Sequence, residues 1–378
     1  MRARLSLLLL LALGADLVVG CSALAAPGRP PAPLRVAELL LVGFRGTEVE
    51  GNEEVRRIVC DVKVGGVILF ERDVATGQPR NITSPAQIRK LTGDLQVLAQ
   101  RCARRPLFIA ADAEGGQVMR LSTRVGFLPS MSPRDLGELG DVTLTRLEAR
   151  RVGAMLREAG INWNLAPVVD VAVNPLNPAV VTLGRTFSSD PRQVIAHARA
   201  FVQGMHDERV LISLKHFPGH GSSLRDSHAG FTDVTDTAEP KVELEPYRTL
   251  IKEGLADSVM TAHVFNKGLD PWDPATLSRY TINRILRSRF GYKGVVVSDD
   301  LLMGAIVRHY GLEEAAAKAL AAGVDMLLIS GNSPKAEQFA AERVVAAVNR
   351  ALATGLLSRK RVSDALGHVE ALRARLPR

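Results

Sequence analysis

Residues 215–228 read KHFPGHGSSLRDSH and place three histidines, a lysine and an aspartate in one short stretch. Asp226 and His228 stand two residues apart, so the carboxylate can hold one imidazole nitrogen and leave the other free to transfer a proton. Such an acid/base pair needs a nucleophile or a second carboxylate as its partner. The segment GVVVSDDLLM supplies Asp299, the predicted nucleophile, and Asp300, which is expected to cap the following helix or to hold a neighbouring residue.

Metal binding is a second interpretation of the same stretch. His216, His220, Asp226 and His228 are all competent zinc ligands. The spacing of His216 and His220 would place both on one helix face, but the proline and glycines among them disfavour a helix. Because no second compact ligand pair follows, we expect no metal, although a metal site on a loop stays an alternative. Histidines that merely satisfy the backbone of a glycine-rich loop are another.

The elements that must position these residues alternate between apolar runs and helix-period segments. The runs show no strict polar alternation, which is typical of parallel strands buried on both faces. Eight such runs within about 300 residues favour a single α/β domain, a (β/α)8 TIM-type barrel, over a doubly wound open sheet. The strand candidates are 39–44, 64–70, 107–112, 164–172, 211–217, 258–264, 294–300 and 325–330.

Polar residues lie at or near the carboxyl ends of these strand candidates. A single aspartate at such a point is more often a helix cap or a turn residue. Several on different strands of a barrel would converge on one face, where active sites of this fold are built. The set comprises Asp112, Asp170, Lys215, His216, His263, Asp299 and Ser330.

Composition restricts the partners. The chain has 378 residues, a hydrophobic content of 46% and a formal net charge of +8. Arginines are spread along the whole chain and no run of five or six basic residues occurs, so we expect no nucleic-acid partner. A chain of this length can form one large domain with a sizeable core.

The N-terminus predicts export. A basic MRAR and an apolar stretch precede Val18-Val19-Gly20-Cys21, which is similar to a bacterial lipobox whose cysteine is lipidated, giving a possible membrane anchor through Cys21. Cleavage after Ala25 is the alternative, and Asp16 inside the apolar stretch counts against both. We divide the chain into a signal peptide at 1–20, a Pro/Ala-rich linker at 21–35 and a catalytic domain at 36–378.

The predicted location is therefore periplasmic or membrane-anchored, with a cytoplasmic protein as the alternative. Cys60 and Cys102 are the two cysteines that remain. Two cysteines do not make a disulfide framework, and whether they pair or stay as buried thiols is left open.

The motifs together resemble one family. KHFPGHG, DSH and VVSDDLLM, preceded by LLLVGFRG, VGGVILF, ADAEGGQVMRL, NLAPVVDV and GRTFSSDP, are similar to the β-N-acetylhexosaminidases of glycoside hydrolase family three, the NagZ type. The resemblance is collinear from about Leu39 to Ser330. It implies a retaining enzyme without a metal or other cofactor that removes terminal β-linked N-acetylglucosamine from cell-wall (muropeptide) or chitin-type fragments. The expected partner is a small carbohydrate, and we expect a monomer.

The resemblance also implies individual roles. Asp299 matches the nucleophile that forms a covalent glycosyl-enzyme intermediate, and His228, oriented by Asp226, matches the acid/base. Histidine then takes the place of the second carboxylic acid of most retaining glycosidases. The positions that match sugar contacts are Asp112, Arg120, Arg185, Lys215 and His216.

Three alternative functions remain at this stage. A β-glucosidase of the same family would share every catalytic residue. A catalytically silent sugar-binding lipoprotein would bind without turnover, and a metal-dependent hydrolase would be sensitive to chelators.

Overall fold

A computed structural model of the chain describes residues 34–333 and 338–377. Its centre is one sheet of eight strands, all paired in parallel with their neighbours. In chain order the strands are β1 Leu40–Gly43, β2 Gly66–Ile68, β3 Phe108–Ala111, β4 Trp163–Asn164, β5 Leu211–Phe217, β6 Ser258–Thr261, β7 Val295–Val297 and β8 Leu327–Ile329.

The sheet closes on itself. Each strand pairs with its neighbours in sequence, and β1 also pairs with β8 through Leu40–Leu327 and the next two positions. A parallel bridge between Val297 and Met326 joins β7 to the start of β8. Every residue of these eight strands is buried. The (β/α)8 TIM-type barrel predicted from the eight apolar runs is confirmed.

Helices surround the barrel, and their ends follow local sequence signals. Ser84 accepts a hydrogen bond from the backbone of Gln87 at 3.1 Å and caps the helix that begins with Pro85. Gly160, with a φ of +71°, ends the turn after the helix before β4. The longer helices are Pro85–Ala103, Val142–Glu158, Pro191–Asp207, Leu312–Ala322, Ala340–Ala353 and Arg359–Arg373.

Shorter helices, some of them 3-10 or π helices, complete the outer layer. They include Val36–Leu39, Glu53–Arg56, Arg57–Val62, Thr123–Val125, Pro133–Leu139, Pro240–Glu243, Glu245–Lys252, Ala275–Leu277, Tyr280–Arg289 and Gly304–Val307.

The strand predicted at 164–172 was much too long, and the structure contains small strand pairs that were not predicted. The candidate at 164–172 forms regular ladder pairs only at Trp163–Asn164, with a single further bridge from Val168 to Lys215. Pro167 has no N–H to donate, so the ladder is interrupted there. The stretch after β3 begins with a hairpin of Ala113–Gly115 and Val118–Met119. A second small pair joins Thr232–Asp233 to Val264–Phe265.

The last helix holds the base of the barrel through ion pairs. Arg361 and His368 contact the fully buried carboxylate of Asp325, which precedes β8, at 2.5 and 3.1 Å. Arg373 contacts Glu38, which precedes β1, at 3.4 Å. The C-terminal helix therefore fixes the strand ends opposite the polar face.

Cys60 and Cys102 form a disulfide. The bond joins the Arg57–Val62 turn to the end of the Pro85–Ala103 helix, outside the barrel. The question that the sequence left open is thus answered in favour of pairing.

The predicted signal peptide and most of the predicted linker lie outside the described residues. Of the residues that the structure describes, none belongs to a helix long and apolar enough to cross a membrane.

Candidate active site

A cavity of about 400 Å³ opens at the carboxyl ends of the strands. Its size lies in the range of small-molecule sites, and it is lined by both charged and apolar side chains. All eight residues proposed from the sequence as catalytic or sugar-binding line it: Asp112, Arg120, Arg185, Lys215, His216, Asp226, His228 and Asp299.

The floor of the cavity is a cluster of buried charges around Glu114. Lys215, at the end of β5, contacts Asp112 at 2.9 Å and Glu114 at 2.6 Å. Arg185 donates two parallel hydrogen bonds to Glu114, both 2.8 Å long. The paired geometry is the strongest form of arginine–carboxylate contact. Strand end, hairpin and a loop after β4 thereby meet at one carboxylate.

These contacts keep the carboxylates charged. Burial alone would raise the pKa of Glu114, but the charges of Arg185 and Lys215 outweigh burial and hold that pKa well below its usual range. The pKa of Asp112 is also lowered, because Lys215 and Arg120 overcome the effect of burial. Conversely, the pKa of Lys215 is raised by Asp112 and Glu114 despite its burial.

Arg120 and His216 are the remaining predicted sugar contacts, and they lie beside the charged cluster of the cavity floor. Arg120 lies 3.2 Å from Asp112, with its guanidinium 5.4 Å from the centre of the Phe70 ring. The Nδ1 atom of His216 lies 2.7 Å from the carboxylate of Asp170, which leaves Nε2 directed towards Arg185 at 3.4 Å. The five predicted sugar contacts are brought together as polar groups held in fixed orientations.

The two carboxylates that follow β7 differ in their surroundings. Within the described part of the chain, the only hydrogen bond to the Asp299 carboxylate comes from the backbone N–H of Asp300, at 2.8 Å. Asp300 instead accepts from the hydroxyl and the backbone N–H of Ser330 and from the backbone of Leu302. Asp300 therefore holds a neighbouring residue, as predicted, while Asp299 has a free oxygen facing the cavity.

Histidines influence the charge of Asp299. Burial would raise its pKa, but the charges of His263, His216 and His228 outweigh burial and lower it, which favours the ionised carboxylate. His263 is buried behind it and lies 2.9 Å from the carbonyl oxygen of Asp300. His263, predicted to lie at a strand end that faces the active site, thus contacts the backbone next to Asp299.

The Asp226–His228 pair has the geometry expected of an acid/base dyad. Nδ1 of His228 lies 2.8 Å from Oδ1 of Asp226, which also accepts the backbone N–H of His228 at 2.9 Å. The hydrogen bond that His228 donates to Asp226 raises the pKa of His228, and the same bond lowers the pKa of Asp226 to about 2. The side chain of His228 is 63% exposed, so its Nε2 is accessible to a bound ligand.

The other histidines of the stretch contact protein groups. His216 contacts Asp170, and His220 lies within hydrogen-bonding distance of Ser223 and Ser227. Residues 34–333 and 338–377 contain no group of three or more His, Cys, Asp or Glu side chains that could hold a metal ion.

Sequence reasoning missed Glu114. The signal was present, because Asp112 and Glu114 are two positions apart in extended backbone and so project to the same side. It also missed the buried Glu71, whose carboxylate receives two hydrogen bonds from Arg124 at the cavity rim, 2.7 and 2.8 Å long. No spacing rule connects these two residues along the chain.

Comparisons with known proteins now identify the class. Residues 33–372 match the model of the glycosyl hydrolase family 3 N terminal domain. The chain belongs to this family, and the resemblance stated from its motifs is confirmed. A glycoside hydrolase of the β-hexosaminidase type is the class that the fold, the family and its relatives define.

Individual relatives agree with that class. A "Beta-hexosaminidase" of Alkalilimnicola ehrlichii is 37% identical over 305 residues, which cover 79% of this chain and 81% of the relative. A family 3 β-N-acetylglucosaminidase from a Paenibacillus species has a TM-score of 0.82 at 35% identity, over 90% of this chain and 62% of that one. The β-N-acetylhexosaminidase of Beutenbergia cavernae has a TM-score of 0.79 at 30% identity, with coverages of 90% and 97%.

Some relatives are longer than the matched part. The chain covers 55% of the "Beta-hexosaminidase A" of Pseudoalteromonas piscicida, to which it is 34% identical, and under two thirds of the Paenibacillus protein.

Replacing Glu114 by glutamine should destabilise the protein and disorder the cavity floor. The substitution leaves two buried cations without their shared counter-charge, and breaking a buried ion pair in this way costs about 3 kcal/mol or more. Because the native pKa of Glu114 is depressed, its contribution is present above the unfolded value of 4.5 and is lost as the pH falls through the lower native value. Urea unfolding at pH 7 measures the full effect.

The matched control is Glu253→Gln. Glu253 also receives two hydrogen bonds from an arginine, Arg199, but both side chains are about one third exposed. Exposed pairs contribute about 1 kcal/mol or less. Equal losses of stability in the two variants would contradict a structural role for the Glu114 cluster.

Proposed function

We propose that the chain is a retaining exo-β-N-acetylglucosaminidase that releases terminal β-linked N-acetylglucosamine from cell-wall or chitin-type fragments. The observation that carries the proposal is the joint placement of a free carboxylate, Asp299, and a hydrogen-bonded acid/base, His228–Asp226, around one cavity. The names of the relatives and structural neighbours support the N-acetylated sugar. The proposal assigns the nucleophile to Asp299.

In the first step Asp299 attacks the anomeric carbon of the terminal sugar. The bond from that carbon to the glycosidic oxygen breaks, and protonated His228 gives its Nε2 proton to the departing oxygen. Asp226 stabilises the imidazolium before the transfer and fixes the ring with Nε2 outward. The products are a glycosyl ester on Asp299 and the released alcohol.

In the second step water attacks the same carbon. His228, now neutral, accepts a proton from that water, and the carboxylate of Asp299 leaves. Two displacements restore the original β configuration, which defines a retaining mechanism. A histidine suits both steps because its ordinary pKa lies close to neutral pH.

The charged floor is proposed to bind the hydroxyl groups of the sugar. Asp112 accepts hydrogen bonds, while Lys215, Arg120 and Arg185 donate them, and all four are held by the Glu114 cluster. A preorganised set of donors and acceptors loses little order when the sugar binds. His216 offers Nε2 as a further contact.

Two rival functions use the same residues differently. A β-glucosidase would turn over a glucoside at least as fast as the N-acetylated sugar. A silent sugar-binding protein would bind N-acetylglucosamine without turnover, and the free carboxylate of Asp299 beside the dyad favours catalysis instead.

Purified protein should hydrolyse 4-nitrophenyl β-N-acetylglucosaminide faster than 4-nitrophenyl β-glucoside. Asp299→Ala should lower kcat by about 10³-fold or more, because the covalent route is lost. Asp94→Ala is the control, since this partly exposed aspartate pairs with Lys90 on an outer helix and does not line the cavity. Full activity of Asp299→Ala, or a faster glucoside reaction, would overturn the assignment.

The pH dependence should report the Asp226–His228 bond. Because this bond raises the pKa of His228, the acid stays protonated to a higher pH than a free histidine would. Asp226→Asn removes the charge, so the pKa of His228 falls and the alkaline limb of kcat/KM moves to lower pH. An unmoved limb would show that another group is the acid; Asp233→Asn, at an exposed position, serves as the control.

We also propose that the protein is exported and anchored through Cys21. The Cys60–Cys102 disulfide supports this location, since such bonds persist in oxidising compartments and are rare in the cytoplasm. The disulfide is evidence independent of the N-terminal motif.

Mass spectrometry of the protein from its native membranes tests the location. The expected mature chain begins at a lipid-modified Cys21 and carries the disulfide. A chain that begins at Met1 with free thiols would contradict export, and one that begins at Ala26 without lipid would contradict the anchor.

A further inference from the structure

His220 contacts both ends of the short segment that leads to the acid/base dyad. Its Nδ1 lies 2.8 Å from Oγ of Ser223, and its Nε2 lies 2.9 Å from Oγ of Ser227. Ser227 stands between Asp226 and His228 in the sequence. One buried imidazole therefore connects the root of the segment to the residue in the middle of the dyad.

The backbone of His220 is in turn fixed by hydrogen bonds to two buried side chains. The backbone N–H of His220 donates to Asp170 at 2.9 Å, and its carbonyl accepts from the amide of Asn177 at 2.7 Å. Asp170 also accepts from the backbone and side chain of His216, which lines the sugar cavity. The same carboxylate thus anchors a residue of the cavity wall and the root of the dyad segment.

Within the segment 223–228, the two serines that contact His220 are buried, whereas Leu224 and His228 beside them are exposed. Ser223 and Ser227 are 0% and 2% exposed, whereas Leu224 between them is 65% exposed. The side chain of His228, next to Ser227, is 63% exposed. Within the described residues, the hydrogen bonds that join the 226–228 segment to the protein interior are the one between Ser227 and His220 and the one from the backbone N–H of Ala305 to the Ser227 carbonyl, 3.3 Å long.

His220 is neutral near neutral pH, and a neutral imidazole can hydrogen-bond to both serines. Burial lowers its pKa to about 4, with a further contribution from His216, so the ring is neutral where a neutral-pH hydrolase works. A neutral imidazole has one donor and one acceptor, and a serine hydroxyl can be either. Both contacts can therefore be satisfied at once.

We propose that His220 is a positioning residue that acts through Ser227 to hold His228 over the cavity. His220 is buried and does not line the cavity, so its role would be to set where the proton donor stands relative to the cavity floor. This inference rests on the proposed function, because it requires His228 to be the acid/base.

Ser227→Ala is the first test, because it removes only the hydroxyl that meets His220. With 4-methylumbelliferyl β-N-acetylglucosaminide, kcat/KM should fall about 10-fold, a part of the roughly 100-fold or more that general acid catalysis supplies. With 2,4-dinitrophenyl β-N-acetylglucosaminide, whose leaving group needs no proton, kcat/KM should change less than about twofold.

A double-mutant cycle separates positioning from general destabilisation. In a His228→Ala background, Ser227→Ala should lower kcat/KM less than about twofold, because no acid remains to be positioned. His220→Gln should show the same coupling, which keeps the test available if one variant does not fold. Ser213→Ala is the matched control, because it removes a buried hydroxyl that contacts Ser258 in the barrel. It should leave kcat/KM unchanged for both substrates.

The possible outcomes separate the two proposals. If His228→Ala keeps full activity, the proposed acid/base fails and the inference falls with it. If His228→Ala is impaired but Ser227→Ala is equally harmful in both backgrounds, or on both substrates, His220 has no positioning role and the acid/base assignment stands.

Discussion

The contact on which the rest of the site depends is the buried carboxylate of Glu114 between Lys215 and Arg185. Burying any one of these charges alone would be very unfavourable, and each is compensated by the others. Because Lys215 ends a strand, Glu114 lies in a hairpin and Arg185 belongs to a loop, their attraction joins three separate segments. The cavity floor is therefore rigid before a ligand arrives.

The proposed acid/base, His228, is held by a different kind of structure from the cavity floor. His228 is exposed and stands on irregular backbone after β5, and its sequence neighbour Ser227 contacts the buried His220. In the proposed mechanism, sugar binding and proton transfer therefore belong to separate structural units that share one anchor, Asp170. The charged floor would determine which sugar binds, while a loop would carry the group that approaches the leaving oxygen.

Much of the barrel was predictable because buried parallel strands leave a strong signal. Apolar runs such as GVVV at 294–297 predicted strands where the structure has them. The fourth strand was overestimated because its apolar composition continues past Pro167, where ladder hydrogen bonding is interrupted. Apolar composition records burial, and burial extends beyond the regular ladder.

The site was predictable where its residues share a short motif and less so where they meet only in space. Asp226 and His228 are neighbours in sequence, so their contact followed from spacing alone. Glu71 lies in a loop after β2 and Arg124 in the short Thr123–Val125 helix, so their contact forms only in the folded chain. The His220–Ser227 contact likewise depends on how a segment with no regular structure folds back on itself. Nothing in the pattern of residue types specifies that path.

The central claim, a covalent intermediate on Asp299, is tested most directly by trapping it. The protein should be incubated with 5-fluoro-β-N-acetylglucosaminyl fluoride, which slows both steps, and then digested and sequenced by mass spectrometry. The account predicts one fluorosugar attached to the peptide that contains Asp299, with no adduct in Asp299→Ala. An adduct on another residue, or rapid turnover with no ester at any carboxylate, would contradict it.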